Sequence, residues 1–463
     1  MLFSGLRLKI KIISDVVFAC PAAELKLIVT PWKGADPMKT VGLITEYNPL
    51  HNGHVRHIRM AKERSGADYV ITVMSGHYVQ RGEPACMDKY LRTEAALKAG
   101  VDLVLELPVL YAAGSAEYFA AGAVTLLDRL GIVDTLCFGS ESNDLEAMST
   151  LAHVLASEPE PFSRKLRELL SGGMSFPAAR SVALHAYLDM IHTPIPKEAL
   201  NSLLSTPNNI LGIEYLKVLF RRHSAIRPDT IRRTGDYRSE VLTPPYCSAS
   251  ALRRILETEH SRCAPVSAQT FKVLRSCVPE DSYTLLAEAF QTRLPVVLDD
   301  FSSFLLYKLL AVRNGSMTEY LDLSPELETR IRASLTGMTS FSGLIDAVKC
   351  RQYTRTRISR ALLHLLLEIR VSDLERYREA DYIPYARVLG FRKSAEPLLR
   401  QIKSHASIPL LTKLANAEKQ LSPAGQFMLD QEIFASDLYQ AAVQLKFGTP
   451  MRNEYTQGLV ILK

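Results

Sequence analysis

His51 and His54 lie three residues apart in the segment His51-Asn52-Gly53-His54. This segment follows the apolar run Val41-Gly42-Leu43-Ile44 and a turn through Asn48-Pro49, and it opens a helical stretch from Val55 to Arg64. A strand, a turn with Pro and Gly, and a helix start together make an anion site, because free backbone N–H groups and the helix dipole point at the bound group. The three-residue spacing lets both imidazoles face the same phosphates. Such a pair can hold a triphosphate and stabilise charge as pyrophosphate leaves. No Gly-x-x-x-x-Gly-Lys-Ser/Thr loop occurs in the chain, so a Walker-type cradle is excluded. Two histidines at a helix start are about as often plain surface or capping residues, and here the flanking strand and helix weigh towards nucleotide binding. Residues 44–57 are then expected to wrap ATP: Ile44, Thr45, Glu46, Tyr47, Asn48, Pro49, Leu50, His51, Asn52, Gly53, His54, Val55, Arg56 and His57. Gly53 is expected to let the backbone approach the phosphates where a Cβ would clash.

The elements around this turn alternate. Asp68–Met74 is a continuous β-branched and apolar run of the kind buried on both faces of a sheet. A helix from the N-cap candidate Asp88 to Ala99 is stopped by Gly100, and Val101–Leu107 is a further strand closed by Pro108. Ser115 caps a helix through Leu130, and Asp134–Phe138 is a fourth strand. This alternation predicts an α/β fold: a doubly wound, parallel, Rossmann-like sheet whose ligands lie beyond the carboxyl ends of the strands. Leu145–Phe220 reads as mainly helical with a break at Pro207-Asn208-Asn209, Ile226–Arg233 as a last strand, and the chain from about Phe271 onward as helical. The expected organisation is an extension over 1–37, a nucleotide-binding domain over 38–265 and a mainly helical, basic domain over 266–463.

A chain of 463 residues with 47% apolar content can bury two or three cores. Seven cysteines, odd in number and widely spaced with no Cys-x-x-Cys pair, predict a reduced cytoplasmic protein without a cysteine-based zinc site, and no metal ligand set is expected. Leu8–Val29 carries too many charges for a membrane span or a signal segment. Net charge is +6, and the stretch from Arg351 to Lys403 holds twelve Lys or Arg against six Asp or Glu, a surplus as large as that of the whole chain. Within it Arg355, Arg357 and Arg360 recur at helical spacing, with His364 on the Arg357–Arg360 face and Tyr353 nearby for base stacking. A basic face is more often merely solvated, but this concentration favours contact with an RNA backbone. From the residues alone, the chain reads as an adenylyl-transferring enzyme with a basic helical second half.

The segments Thr45–His54, Met74-Ser75-Gly76-His77-Tyr78-Val79-Gln80-Arg81-Gly82-Glu83-Pro84-Ala85, Gly100–Pro108, Phe138-Gly139-Ser140-Glu141 and Pro207-Asn208-Asn209-Ile210-Leu211-Gly212 resemble the bacterial tRNA(Met) cytidine acetate ligases of the His-x-Gly-His nucleotidyltransferase superfamily. The resemblance runs from about Met38 to the C-terminus. It implies a nucleotide contact for Gly139 and for Asn208. It also implies one for an arginine after the last strand, Arg233 in preference to Arg232. The Gly235-Asp236-Tyr237-Arg238 that follows departs from the family by carrying Arg238 where His is usual. Ser250 and Arg253 occupy the place of the superfamily's second signature, a hydroxyl and a guanidinium clamping the β- and γ-phosphates, with His51, His54 and Arg253 as the catalytic set. The implied reaction is ATP-dependent ligation of acetate to N4 of the wobble cytidine of elongator tRNA(Met) through an acetyl-adenylate, with Mg²⁺ entering on ATP. Neither a membrane nor an obligate protein partner is expected. A small-molecule adenylyltransferase of the same superfamily and a non-catalytic RNA-binding protein remain open at this point.

Since the first strand starts just after Met38, a chain beginning there should match the full-length protein in melting temperature and turnover. An insoluble or inactive truncation would contradict this.

Overall fold

The computed structural model describes residues 38–463 apart from 175, 194, 234–243, 262–267 and 291. The extension over 1–37, the expected division between 265 and 266, and Gly235-Asp236-Tyr237-Arg238 lie outside the described residues. The expected alternation is present: β1 (Thr40–Thr45), α1 (Asn52–Ser65), β2 (Tyr69–Ser75), α2 (Lys89–Lys98), β3 (Leu103–Leu107), α3 (Ala116–Arg129) and β4 (Thr135–Ser140). Further helices lead to α4 (Pro207–Arg221), which begins at the Pro-Asn-Asn break, and to β5 (Arg227–Arg232). Val70–Ser75 and all five residues of β3 are buried, as strands covered by helices on both faces must be. Asp88 caps α2 by accepting from the N–H groups of Tyr90 and Leu91, both at 2.9 Å.

The second half is helical through α5 (Ala249–Ser261), α6 (Ala268–Cys277), α7 (Arg355–Leu366) and α8 (Pro423–Phe447), but it also contains β6 (Ala386–Arg392), β7 (Leu410–Leu411) and β8 (Val460–Leu462). These strands were not anticipated from the sequence. They extend the same sheet, whose order is β8-β6-β3-β2-β1-β4-β5 with β7 beside β6. β6 runs antiparallel to β3, and the other neighbours in this sheet are parallel. The chain winds outward from β1 to β3 on one side and continues through β4 and β5 on the other. The reversal beside β1 opens a crevice at the strands' carboxyl ends.

A buried ion network fastens the two halves. Lys89 on α2 lies 2.7 Å from Glu106 on β3 and 3.1 Å from Glu454. Arg387 on β6 lies 3.0 Å from Glu106 and also pairs with Glu454. Tyr90 donates to Glu454 at 2.9 Å, as does Ser436 of α8 at 2.6 Å. Burial alone would raise the Glu454 carboxyl, but Lys89 and Arg387 outweigh it and hold the group well below the usual carboxylate range. Removing this one carboxylate would leave the two buried cations, Lys89 and Arg387, to share Glu106. Glu454→Ala should therefore cost about 3–5 kcal/mol in denaturant-induced unfolding. A loss below about 1 kcal/mol would mean that water readily replaces the carboxylate.

Candidate nucleotide site

The N-terminus of α1 is capped by the histidines themselves. His51 is the N-cap, and its Nδ1 accepts from the Gly53 N–H at 3.1 Å, while the His51 N–H donates to His54 Nδ1 at 3.3 Å. The rings stack with centroids 3.7 Å apart, and Tyr47 meets His54 edge-on at 5.1 Å. Because both Nδ1 atoms accept backbone N–H groups, the neutral rings carry their proton on Nε2. Each imidazole is thereby set as an Nε2–H donor. Gly53 has a more local cause than a close phosphate, since a Cβ there would lie 2.9 Å from Cε1 of His51.

Below this turn the Arg92 guanidinium, fully buried, donates to the carbonyls of Met87 at 3.0 Å, Glu46 at 2.7 Å, Ser75 at 3.0 Å and Gly76. It ties the chain leaving β1 to the chain leaving β2. Across the crevice, Arg253 of α5 donates to the Asn48 carbonyl at 2.8 Å and to Ser250 Oγ at 3.3 Å. Burial, then Arg233 and Arg253, push His51 down to about 3. Burial, then His51 and Arg233, push His54 well below its usual value. Burial, then Arg233 and Arg56, push His57 down to about 4. The site is thus two fixed guanidinium charges beside neutral imidazole donors, an arrangement that attracts anions without placing a formal charge on the rings.

The motifs after β4 and before α4 interlock. The Glu141 carboxylate accepts from Asn208 N at 3.2 Å, Asn208 Nδ2 at 2.6 Å and Asn209 N at 2.9 Å, so it caps α4. Asn209 is buried, its Oδ1 accepting from Ser140 Oγ at 2.7 Å, whereas Asn208 reaches the pocket and accepts from Arg233 at 3.3 Å. Of the residues expected around ATP, Ile44, Thr45, Glu46, Tyr47, Asn48, His51, His54, His57, Gly139, Asn208, Arg233, Ser250 and Arg253 line one pocket. Pro49, Leu50, Asn52, Gly53, Val55, Arg56 and Arg232 do not. Leu50 is in the core, and Asn52 turns away to donate to the carbonyls of Pro245 at 3.1 Å and Ser276 at 3.0 Å. Sequence reasoning missed the apolar wall of Phe119, Phe138, Leu211 and Tyr215, because core residues and pocket walls share the same apolar periodicity.

Four expectations need correction. Tyr353 is buried and bonded to Ser324 at 2.6 Å, so its ring is closed to base stacking. His364 is buried between the carbonyls of Leu321 and Ala113 and belongs to no exposed basic face, because helix α7 packs that side against the α/β layers. Arg360 is held by Asp322 at 3.2 Å, which leaves Arg355 and Arg357 as the exposed members of the trio. Finally, Cys247 and Cys277, 30 residues apart in sequence, are joined as a disulfide in place of the expected free thiols.

Residues 38–453 match the family model of the HIGH Nucleotidyl Transferases. A tRNA(Met) cytidine acetate ligase of Acetivibrio thermocellus is 40% identical over 92% of this chain and 100% of its own length. A ligase of the same name from Caldanaerobacter subterraneus is 40% identical over 88% of this chain and 96% of its own. The crystal structure of Thermotoga maritima TmcAL bound with alpha-thio ATP superposes with a TM-score of 0.82 at 32% identity, covering 92% of this chain and 100% of that one. The chain belongs to the HIGH nucleotidyl transferases and, among them, to the family whose members are named tRNA(Met) cytidine acetate ligase.

The depressed histidines set a sign for pH dependence. An unfolded imidazole takes its proton near pH 6.5, while these folded ones remain neutral to about pH 4 or below. The unfolded chain therefore binds more protons in that window, and stability falls as pH is lowered from 6.5 towards 4. Replacing His51 and His54 by Gln should flatten this fall by up to about 1.4 kcal/mol per pH unit for each ring removed. Urea midpoints between pH 7.5 and 4.5 measure it, and an unchanged slope would mean that the two rings titrate normally.

Proposed function

We propose that this protein activates acetate with ATP and ligates it to N4 of the wobble cytidine of elongator tRNA(Met); its relatives are named tRNA(Met) cytidine acetate ligase, which supports the acetate, the cytidine and the tRNA of this reading. An acetate oxygen attacks the α-phosphorus, an O–P bond forms, and pyrophosphate leaves to give acetyl-adenylate. The cytidine amine then attacks the acetyl carbon, forming the C–N bond as the acyl–oxygen bond to AMP breaks, and the amine loses a proton. The carrying observation is the pair of neutral, backbone-locked imidazoles that share a pocket with Arg233 and Arg253. In-line positioning and charge stabilisation suffice for such a transfer.

In this reading His51 and His54 donate to the phosphates through Nε2–H. Arg253, with Ser250, holds the β- and γ-phosphates as they leave. Arg233 and Asn208 hold the nucleoside side, where Gly139 leaves room. Mg²⁺ arriving with ATP would neutralise part of the triphosphate charge. The exposed Arg355 and Arg357 of α7 supply contacts to the RNA backbone, and the paired Arg360 supplies less. No helix among the described residues is long and apolar enough to cross a membrane. A reaction on tRNA assigns the protein to the cytoplasm.

Acetate-dependent exchange of pyrophosphate into ATP, run with and without tRNA, tests the reading. Exchange without RNA followed by RNA acetylation is the expected result, and nucleotide transfer to a small molecule in its place would overturn it. His54→Ala should lower the exchange rate by about 10²–10³ while leaving tRNA affinity intact, since it removes one transition-state donor. A folded variant with undiminished exchange would remove the histidine from the chemistry.

A further inference from the structure

A second cavity, about 400 Å³ in volume, adjoins the nucleotide pocket. Arg253 lines both. A short antiparallel ribbon after β2, pairing Tyr78–Val79 with Glu83–Pro84, borders both as well. Gln80 and Arg81 of the ribbon line the nucleotide pocket, whereas Glu83 and Pro84 line the second cavity. Gly82 at its tip has φ +75, and a Cβ there would lie 2.5 Å from the Arg360 backbone nitrogen. Ser359 Oγ donates to the Gly82 carbonyl at 2.7 Å. Helix α7 is thus seated on the ribbon, and Arg355 at its first turn lines the cavity. The cavity thus borders the basic helix at Arg355 and the nucleotide pocket at Arg253.

Its walls select a ligand class. Glu83, Glu257 and Asp299 disfavour a bare pyrophosphate, and a purely apolar group would be poorly served by charged walls. Arg355 and Lys446 bring positive charge on the same surface. Asp299 is held by Ser342, through N and Oγ at 2.7 Å each, and Lys446 by Asp300 at 2.9 Å, so this wall is fixed. Among the described residues Arg355 is held in an exposed pair with Asp346, the kind of pair that exchanges for a phosphate at little cost. A cytosine nucleotide presents an amine donor that carboxylates accept, ring acceptors that cations satisfy, and a phosphate. The volume is within the range of small-ligand pockets.

Building on the proposed function, we propose that this cavity receives the acceptor nucleotide of the RNA, turned out of its loop, with Arg355 at its phosphate and Glu257 at its exocyclic amine. Glu257 lies one helical turn beyond Arg253 on α5 and so faces the shared wall. As the amine attacks the acetyl carbon and the acyl–oxygen electron pair leaves with AMP, the proton released from nitrogen passes to the Glu257 carboxylate.

The test uses the full-length protein, acetate, ATP and an anticodon stem-loop RNA. A second batch of that RNA carries a fluorescent cytosine analogue at the acceptor position. Glu257→Gln should lower kcat for RNA acetylation by about 10²-fold, the usual share of a proton acceptor, and remove the acidic limb of its pH profile. RNA-free pyrophosphate exchange should stay within about threefold of wild type. Glu83→Gln combined with Glu257→Gln should abolish the emission change of the analogue. Unchanged acetylation and emission would overturn the proposal, as would exchange that falls in parallel with acetylation, which would assign the cavity to ATP. Wild-type protein without acetate-dependent exchange would instead overturn the proposed function, a result read separately from the variants.

Discussion

Arg92 holds the site together from beneath. Its guanidinium is fully buried and spends its donors on carbonyls, those of Glu46, Ser75, Gly76 and Met87, where β1 and β2 release their chains. Each hydrogen bond from a charged donor to a buried carbonyl contributes about 1.5–3 kcal/mol, and each carbonyl would otherwise be stranded away from water. The chain leaving β1 carries the histidine turn, and the chain leaving β2 carries the ribbon that borders both cavities. One side chain therefore sets the spacing between the two loops that line the pocket.

Above Arg92, the electrostatics follow from a division of labour. The two imidazoles are occupied at Nδ1 by the backbone of their own helix start, so they cannot turn. Burial and the nearby arginines keep them neutral. Positive charge is supplied by Arg233 and Arg253 from other elements, one after β5 and one on α5. An anion arriving there meets fixed cations and preoriented donors, with little reorganisation needed as charge develops. The buried network of Lys89, Glu106, Arg387 and Glu454 has a different purpose. It binds β6 and the C-terminal segment to the sheet, with charges matched closely enough that none is left alone.

The first strands and helices were legible because their signals are local. β1 to β4 appear as apolar, β-branched runs, α2 begins at an aspartate that can cap it, and α4 begins at a proline. β6 was not legible. Its seven residues include Arg387 and Gly390, which read as polar and breaking, yet Arg387 answers Glu106 and Gly390 admits the Val460 carbonyl 2.5 Å from where a Cβ would be. Those partners are hundreds of residues away or near the end of the chain, and no window sees them. The same holds for His364 and Tyr353, whose basic and aromatic character suggested a surface that helix packing buries.

By itself, the sequence determined the type of chemistry: two histidines at helical spacing after a strand, a serine and an arginine at a later helix start, and an α/β alternation to hold them. Spacing within one turn is fixed by covalent geometry, so these features survive any packing. Only the tertiary structure decided which nitrogen of each imidazole donates, which of Asn208 and Asn209 and which of Arg232 and Arg233 meets the pocket, and that a second cavity shares its wall. Those outcomes depend on the competition of neighbours for the same donors and the same space. That competition is settled only when β1, β2, α5 and α7 come together.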